Sequence, residues 1–380
     1  MSVVRRESLR RWSLVSAGVA ALCLLPAAVA AWPAGPAAGL APADLRERIL
    51  GSEDLPYQGY VTTDGRTGLP ALPELAEVSG LLGGSARIRA WYAGPTAWRV
   101  AELTTIGERD TYRATDGHYR WDFERNLLTV VTGEPVVWLP GASDLVPPAL
   151  ARELLRFDGR LEPLPARRVA GVDAAGVRLV PEDPDTTVGR VDAWADPSTG
   201  LPVHVEVSGQ GGAAPALTSR FLQLRQAAPD PAVLTPPVPP DGAGVAVTSA
   251  TKISEALAAA LPGQLPDTLA GRPRRSPAAT AGIGGGAIYG TGFSTVVVLA
   301  LPGRLGGEMI DTGRDGGYPS VPVAGAEAYQ LRASLLTALV VHADHDLVDR
   351  STVHTWLLAG PVAPELLQRA AAELVGGTTS

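Results

Sequence analysis

The chain has 380 residues, a formal net charge of −7 and a pI near 5.4, which excludes a general nucleic-acid binder, since such proteins need a net basic footprint. With 46% hydrophobic and 19% charged residues it can bury a sizeable core, which excludes wholesale disorder, and its length fits two domains. The lone cysteine, Cys23, excludes an internal disulfide framework and a cysteine-based zinc module.

Residues 1–30 read as an export signal. Arg5, Arg6, Arg10 and Arg11 form a basic region, Leu14–Leu25 is apolar apart from Ser16, and Pro26 breaks the helix ahead of Ala28-Val29-Ala30, a small-residue cleavage pattern. The alternative is an uncleaved single-span anchor over Ser13–Ala31. Either way the body is exported, to the extracytoplasmic face of the cell membrane or a periplasm-like space.

Residues 43–50 carry Leu45, Ile49 and Leu50 at helical spacing. From 57 to 139 the pattern changes to short alternating segments separated by turns, as in a meandering antiparallel sheet. Ala86–Tyr92 alternates Ile88, Ala90 and Tyr92 with Arg87 and Arg89, and Trp98–Glu102 follows the turn Gly94-Pro95. After Asp116-Gly117, a favoured hairpin turn, Tyr119, Trp121 and Phe123 alternate with His118, Arg120 and Asp122; Leu127–Val131 and Val136–Leu139 continue the series. A helix is predicted over 147–157, with Pro147-Pro148 in its first turn and Leu150, Leu154 and Phe157 at helical spacing. Strands resume at Val177–Val180, Arg190–Ala195, Val203–Val207 and Arg220–Leu224.

Residues 229–240 hold six prolines and read as a stiff linker. The division is a signal or anchor at 1–30, a first domain at 31–228, a linker at 229–247 and a smaller C-terminal α+β domain at 248–380, which includes a flexible Gly/Pro/Arg stretch at 262–287. In that last domain a helix is expected at Ile253–Leu261, a strand at Thr295–Leu301 and a helix around 325–333. A hairpin of Leu335–His342 with Thr352–Leu358 and a helix over Ala363–Leu374 complete it.

The motifs of serine hydrolases, zinc proteases and P-loop enzymes are absent. Gly282-Ile-Gly284-Gly-Gly286 lacks the preceding strand that a dinucleotide site needs and reads as linker. His342, His345 and His354, with Asp344 and Asp346, are the one concentration of metal-ligating types, but they flank a hairpin turn and read as solvated. His204 alternates with Val203 and Val205 and reads as an exposed sheet position. The aromatic stripe carries more: Tyr92, Trp98, Tyr119, Trp121 and Phe123 are assigned to one side of successive strands, where they form either an ordinary sheet core or the wall of a cavity for an apolar ligand.

Three segments then show a resemblance. Pro95-Thr-Ala-Trp98-Arg99, Asp116-Gly117 through Trp121, and Trp194-Ala-Asp196 through Thr199-Gly-Leu-Pro202 resemble, in that order, motifs of the LolA-like lipoprotein-carrier superfamily. The resemblance covers about residues 45–225, and the two-part layout is similar to the RseB-like regulators of that superfamily. It implies an α+β fold, a curved antiparallel half-barrel with helices on its concave side. It implies a non-enzymatic, cofactor-free protein that binds a hydrophobic, lipid-type ligand and the extracytoplasmic region of a membrane anti-sigma factor. From strand alternation the ligand-binding residues are taken as Ile88, Tyr92, Trp98, Val100, Tyr119 and Trp121, with Leu150 and Leu154 as a helical plug. The alternatives are a cell-envelope lipid or lipoprotein carrier and an exported metal-dependent hydrolase built on the three histidines.

Overall fold

The computed structural model describes residues 40–68, 76–104, 107–132, 141–240, 242–249, 265–275, 286–301, 303–343 and 355–377. Two sheets organise the chain. The larger has twelve strands: β1 (Tyr57–Gly65), β2 (Ser85–Gly94), β3 (Ala97–Leu103), β4 (Glu108–Ala114), β5 (Gly117–Asp122), β6 (Leu127–Thr132), β7 (Arg160–Val169), β8 (Val172–Val180), β9 (Val188–Ala195), β10 (Pro202–Gly209), β11 (Leu217–Arg225) and β12 (Gly244–Ser249). Their order is β12-β6-β5-β4-β3-β2-β1-β11-β10-β9-β8-β7, an open half-barrel that is antiparallel except where β12 runs parallel to β6.

Three short helices accompany this sheet: α1 (Pro42–Leu50), α2 (Ala76–Gly83) and α3 (Pro147–Leu155). Proline opens α1 and α3 at positions where a missing N–H costs nothing. Leu45 and Ile49 of α1 and Leu150 and Leu155 of α3 are buried in one cluster with Val61, Ile88, Val177, Val191, Val205 and Phe221. The face carrying those strand residues is therefore the helix-bearing face. Arg46 of α1 donates to the carbonyl of Leu155 (2.7 Å) and to those of Arg156 and Phe157, satisfying the open carbonyls at the end of α3 and tying the two helices together.

The smaller sheet contains β15 (Gly286–Tyr289), β16 (Val296–Leu301), β17 (Ala326–Arg332), β18 (Thr337–Ala343) and β19 (Thr355–Gly360) in the order β15-β16-β19-β18-β17. A two-residue hairpin, β13 (Thr268–Leu269) with β14 (Arg272–Pro273), lies within the Gly/Pro/Arg stretch. Helices α4 (Gly303–Asp315) and α5 (Pro364–Gly377) accompany this sheet, and Leu366, Leu367, Ala370 and Ala371 of α5 are fully buried against it. The segment expected to be helical around 325–333 is strand β17: Ala328 and Gln330 alternate inward, and all seven residues pair with β18. The expected pairing of 335–342 with 352–358 is present in its described part, as β18 with β19 from Thr337–Gly360 to His342–Thr355, residues 352–354 lying outside the described residues.

The sheets meet at the loop between β8 and β9. Thr186 bridges to Val362, the Thr187 N–H donates to the Pro361 carbonyl (2.9 Å), and the Ala363 N–H donates to the Asp185 carbonyl (2.6 Å). Arg272 pairs with Asp183 (3.2 Å) and Asp185 (3.0 Å), and Phe157 and Phe293 meet edge to face at 5.0 Å. The predicted Pro-rich linker, 229–247, contains a 3-10 turn at Pro231–Leu234, its first N–H groups capped by Asp230, and its last residues, 244–247, belong to strand β12. The expected elements Val136–Leu139 and Ile253–Leu261 lie outside the described residues.

Candidate functional site

Strand register decides which predicted site residues share a face. Ile88, Ala90 and Tyr92 lie beside Val61, Gly59 and Tyr57 of β1 and opposite Glu102, Val100 and Trp98 of β3. These side chains face the helices. Tyr92 donates its hydroxyl to the Glu53 carbonyl just after α1 (2.7 Å), and Ser219, on the same face as Phe221, donates to the Leu145 carbonyl just before α3. Ile88 is completely buried, Tyr92, Val100 and Leu150 nearly so, and Trp98 and Leu154 are half-buried against the same cluster. Six of the eight expected residues are thus brought together.

Tyr119 and Trp121 are not among them. Trp98 pairs with Arg113, which pairs with His118; Val100 pairs with Thr111, which pairs with Arg120. No register shift intervenes, so His118, Arg120 and Asp122 continue the helix-bearing face, and Tyr119 and Trp121 point to the other side. There Trp121 is buried with Tyr112 and Leu128, and Tyr119 and Val130 pack around them. Phe123 is 51% exposed and meets Trp121 edge-on. The aromatic stripe is two stripes, one on each face.

The sequence reading also missed part of the aromatic centre. Tyr57 stacks on Tyr92 with centroids 4.9 Å apart, and Phe221 meets Tyr57 edge to face at 5.8 Å. Phe221 lies so close over Gly59 that a Cβ there would fall 2.6 Å from its ring. The Arg152 guanidinium of α3 lies 6.0 Å from the Tyr92 ring. Burial raises the pKa of both tyrosine hydroxyls, so they stay neutral and serve as contact area with a polar tip. Alternating Tyr57 with Val61 and Leu217 with Phe221 was the available signal.

Farther along the same face the chemistry changes sign. Arg109 lies 3.7 Å from Glu102 and 3.9 Å from Asp122, Arg125 reaches Asp122 at 3.7 Å, and Arg113 bonds His118. The helix-bearing face is therefore apolar over β1–β3 and ionic over β4–β5.

The opposite face holds two further clusters. Arg99 bridges Glu108 (3.1 Å) and fully buried Asp110 (2.8 Å) and lies over the rings of Trp91 and Tyr112. Burial pushes the Asp110 carboxyl up to about 6. Farther across, Trp194 lies over Gly176 and donates to the Pro165 carbonyl of β7 (3.0 Å), and Arg167 stacks on its ring at 3.8 Å. Arg167 also donates to Glu206 (2.6 Å), whose carboxyl the neighbouring His204 ring and Arg167 hold down to about 2. His204, expected to be exposed, is 5% exposed. A register shift in β7 between Leu164 and Arg167 lets that edge strand carry Arg167 across the sheet to it.

His342 donates or accepts at Nδ1 with Thr355 Oγ1 (2.7 Å). His345, His354, Asp344 and Asp346 lie outside the described residues. Among the described residues no group of three or more His, Cys, Asp or Glu is arranged to hold a metal ion, and no helix is long and apolar enough to cross a membrane.

No family model matches the chain, and no curated protein matches it. Among solved structures it is similar to the complex of Pseudomonas aeruginosa MucA/MucB, at 15% identity and a TM-score of 0.46, over 87% of this chain and 96% of that one. It is similar to LprF from Mycobacterium bovis, at 12% identity and a TM-score of 0.30, over 55% of this chain and 100% of that one. A LolA superfamily protein, NE2245 from Nitrosomonas europaea, is similar at 12% identity and a TM-score of 0.26, over 52% of this chain and 99% of that one.

Proposed function

We propose that this is a non-enzymatic protein of the cell envelope that binds a lipid-type ligand between α3 and strands β2–β3 and acts as an RseB-like regulator, with the extracytoplasmic region of an anti-sigma factor as its partner. One observation carries the ligand half. Tyr57, Tyr92, Val100 and Phe221 form an aromatic and aliphatic stretch of the helix-bearing face beside α3, whose Arg152 lies over the Tyr92 ring, and Trp98 and Leu154 are half-buried against the same cluster. Such a stretch supplies contact area for an acyl chain, with few polar groups to fix it. The partner half follows from the motif resemblance and from the second sheet joined to the half-barrel. The chain divides, on this reading, into the half-barrel with its proline-rich extension and the small C-terminal unit.

The test is titration of delipidated protein with palmitate and phosphatidylglycerol, followed by tryptophan fluorescence and native mass spectrometry. Wild-type protein should respond, and Leu154→Arg should weaken binding at least about tenfold, since it removes one apolar side chain from the contact. No response to any fatty acid or phospholipid would refute the ligand half. Absence of a single-span envelope protein from cross-linked pull-downs would refute the regulator and leave a carrier.

A further inference from the structure

The face of the half-barrel turned away from the helices carries a basic patch that the ligand site does not use. Alternation along β2 puts Arg87 and Arg89 on that face between the inward Ile88 and Ala90. Across β1 the register aligns Arg87, Thr62 and Arg220 in one row and Trp91, Gln58 and Arg225 in another. Adjacent strands lie about 4.8 Å apart, so the four arginines stand on an area about 10 Å wide and two to three residue pairs long. All four are exposed. Of the carboxylates bordering them, Glu206 is paired with Arg167, and Glu108 and Asp110 with Arg99; Asp64, which accepts from Ser85 (2.6 Å), keeps its charge, one against the four arginines. On a chain whose formal charge is −7, this is a local excess of positive charge.

The patch has two further properties. At its β10–β11 border it deepens into a cavity of about 400 Å³ whose lining includes Arg167, Arg168, His204 and Arg220 beside the apolar Val169 and Leu222. Leu222, at the register shift of β11, is 45% exposed, and Tyr60 and Trp91 are half-buried between the arginines. Guanidinium groups interleaved with aromatic rings and an exposed aliphatic chain suit the headgroup level of a bilayer, where rings with polar tips partition and arginine meets phosphate.

We infer that this face docks on an anionic phospholipid bilayer, with a headgroup phosphate entering the cavity beside Arg220. Each of β1, β2 and β11 is hydrogen-bonded on both sides, so the patch has no free strand edge for an extended acidic peptide to join, and a broad charged surface is the better complement.

The experiment is co-sedimentation of the purified full chain with vesicles of pure phosphatidylcholine and of phosphatidylcholine with 30% phosphatidylglycerol, in low and high salt. Neutral vesicles report any purely apolar attachment, because that contribution is common to both. The protein should favour the anionic vesicles and lose the preference in 0.5 M salt, where the screening length is only a few ångströms. Each arginine near the surface is worth about fivefold in partition. The variant R87Q/R89Q/R220Q/R225Q should thus lose roughly several-hundredfold of the anionic component, and the corresponding Arg→Lys variant should keep most of it. If the fourfold variant misfolds by circular dichroism, R87Q/R89Q and R220Q/R225Q separately should each lose about thirtyfold. All these variants should keep the fatty-acid response, which separates this face from the ligand site. Equal partition of wild-type protein to both vesicles, undiminished binding of the variants, or retention on an immobilised poly-glutamate but not on vesicles would overturn the inference.

Discussion

Thr186 is a buried side chain at the contact between the two sheets. It is 2% exposed, donates its hydroxyl to the Phe293 carbonyl at 2.6 Å, lies 3.0 Å from the Pro361 carbonyl, and accepts from the Val188 N–H at 3.1 Å. Thr186→Val keeps the shape and removes the hydroxyl. The Pro361 carbonyl still receives the Thr187 N–H, but the Phe293 carbonyl and the Val188 N–H each lose a partner in a buried setting. At about 1–1.5 kcal/mol for each, the expected loss is about 2–3 kcal/mol. The assay is urea denaturation read by circular dichroism together with hydrogen exchange of peptides from β9 and β18. Wild-type protein should open both regions together, and the variant should release β18 at lower urea than β9. A loss under about 0.5 kcal/mol, or identical protection of β18 in both proteins, would refute the claim that this hydroxyl joins the sheets.

Asp110 should make stability rise on mild acidification. Its folded pKa, about 6, lies above the ordinary value of 3.8, so the native state holds the extra proton and stability falls as pH rises through that window. Asp110→Asn should flatten the slope between pH 4 and 6, and thermal melts across that range check it. Two glycines of α4 should respond in opposite directions. Gly313→Ala puts a Cβ 2.7 Å from the Tyr329 ring and should cost about 1–3 kcal/mol, whereas Gly307→Ala meets nothing within 4 Å and should gain about 0.5–1 kcal/mol. Chemical denaturation of both variants measures the pair.

The same residues explain what could be read from the sequence. Strands β2, β3, β5 and β10 show their period of two openly, and proline marks the first turns of α1 and α3. The unnamed elements break these rules for structural reasons. Strand β4 buries Asp110 on the face turned away from the helices, where Arg99 and Tyr112 satisfy it, so a charge stands where an apolar residue was expected. Strand β7 contains Pro163 and Pro165, which only an edge strand tolerates. Helix α4 contains Gly306 and Gly313 because Thr355 and Tyr329 approach its backbone too closely for any side chain; in sequence, such glycines imitate a turn. The division of the aromatic stripe is a different matter. Alternation says which residues of one strand share a face, but only the pairing of β3 with β4 and of β4 with β5 relates that face to the next. With apolar clusters on both faces, aromatic character could not supply the missing parity.

That two-sidedness has a consequence for how the proposed sites relate. Along β2 the order Arg87-Ile88-Arg89-Ala90-Trp91-Tyr92 alternates the basic face with the apolar one, so adjacent residues serve different surfaces through one shared backbone. The proposed ligand site uses Tyr92 and Val100, and the proposed docking face uses Arg89 and Trp91; no side chain belongs to both. Coupling therefore requires β1–β3 to move as backbone, against hydrogen bonds on both sides of each strand. If the sheet is rigid, vesicle partition is the same with and without bound fatty acid. If ligand occupancy changes the partition, the strands flex, and hydrogen exchange in β1–β3 must change with it. The two measurements together distinguish a regulator that transmits through the sheet from one that signals by moving α3 alone.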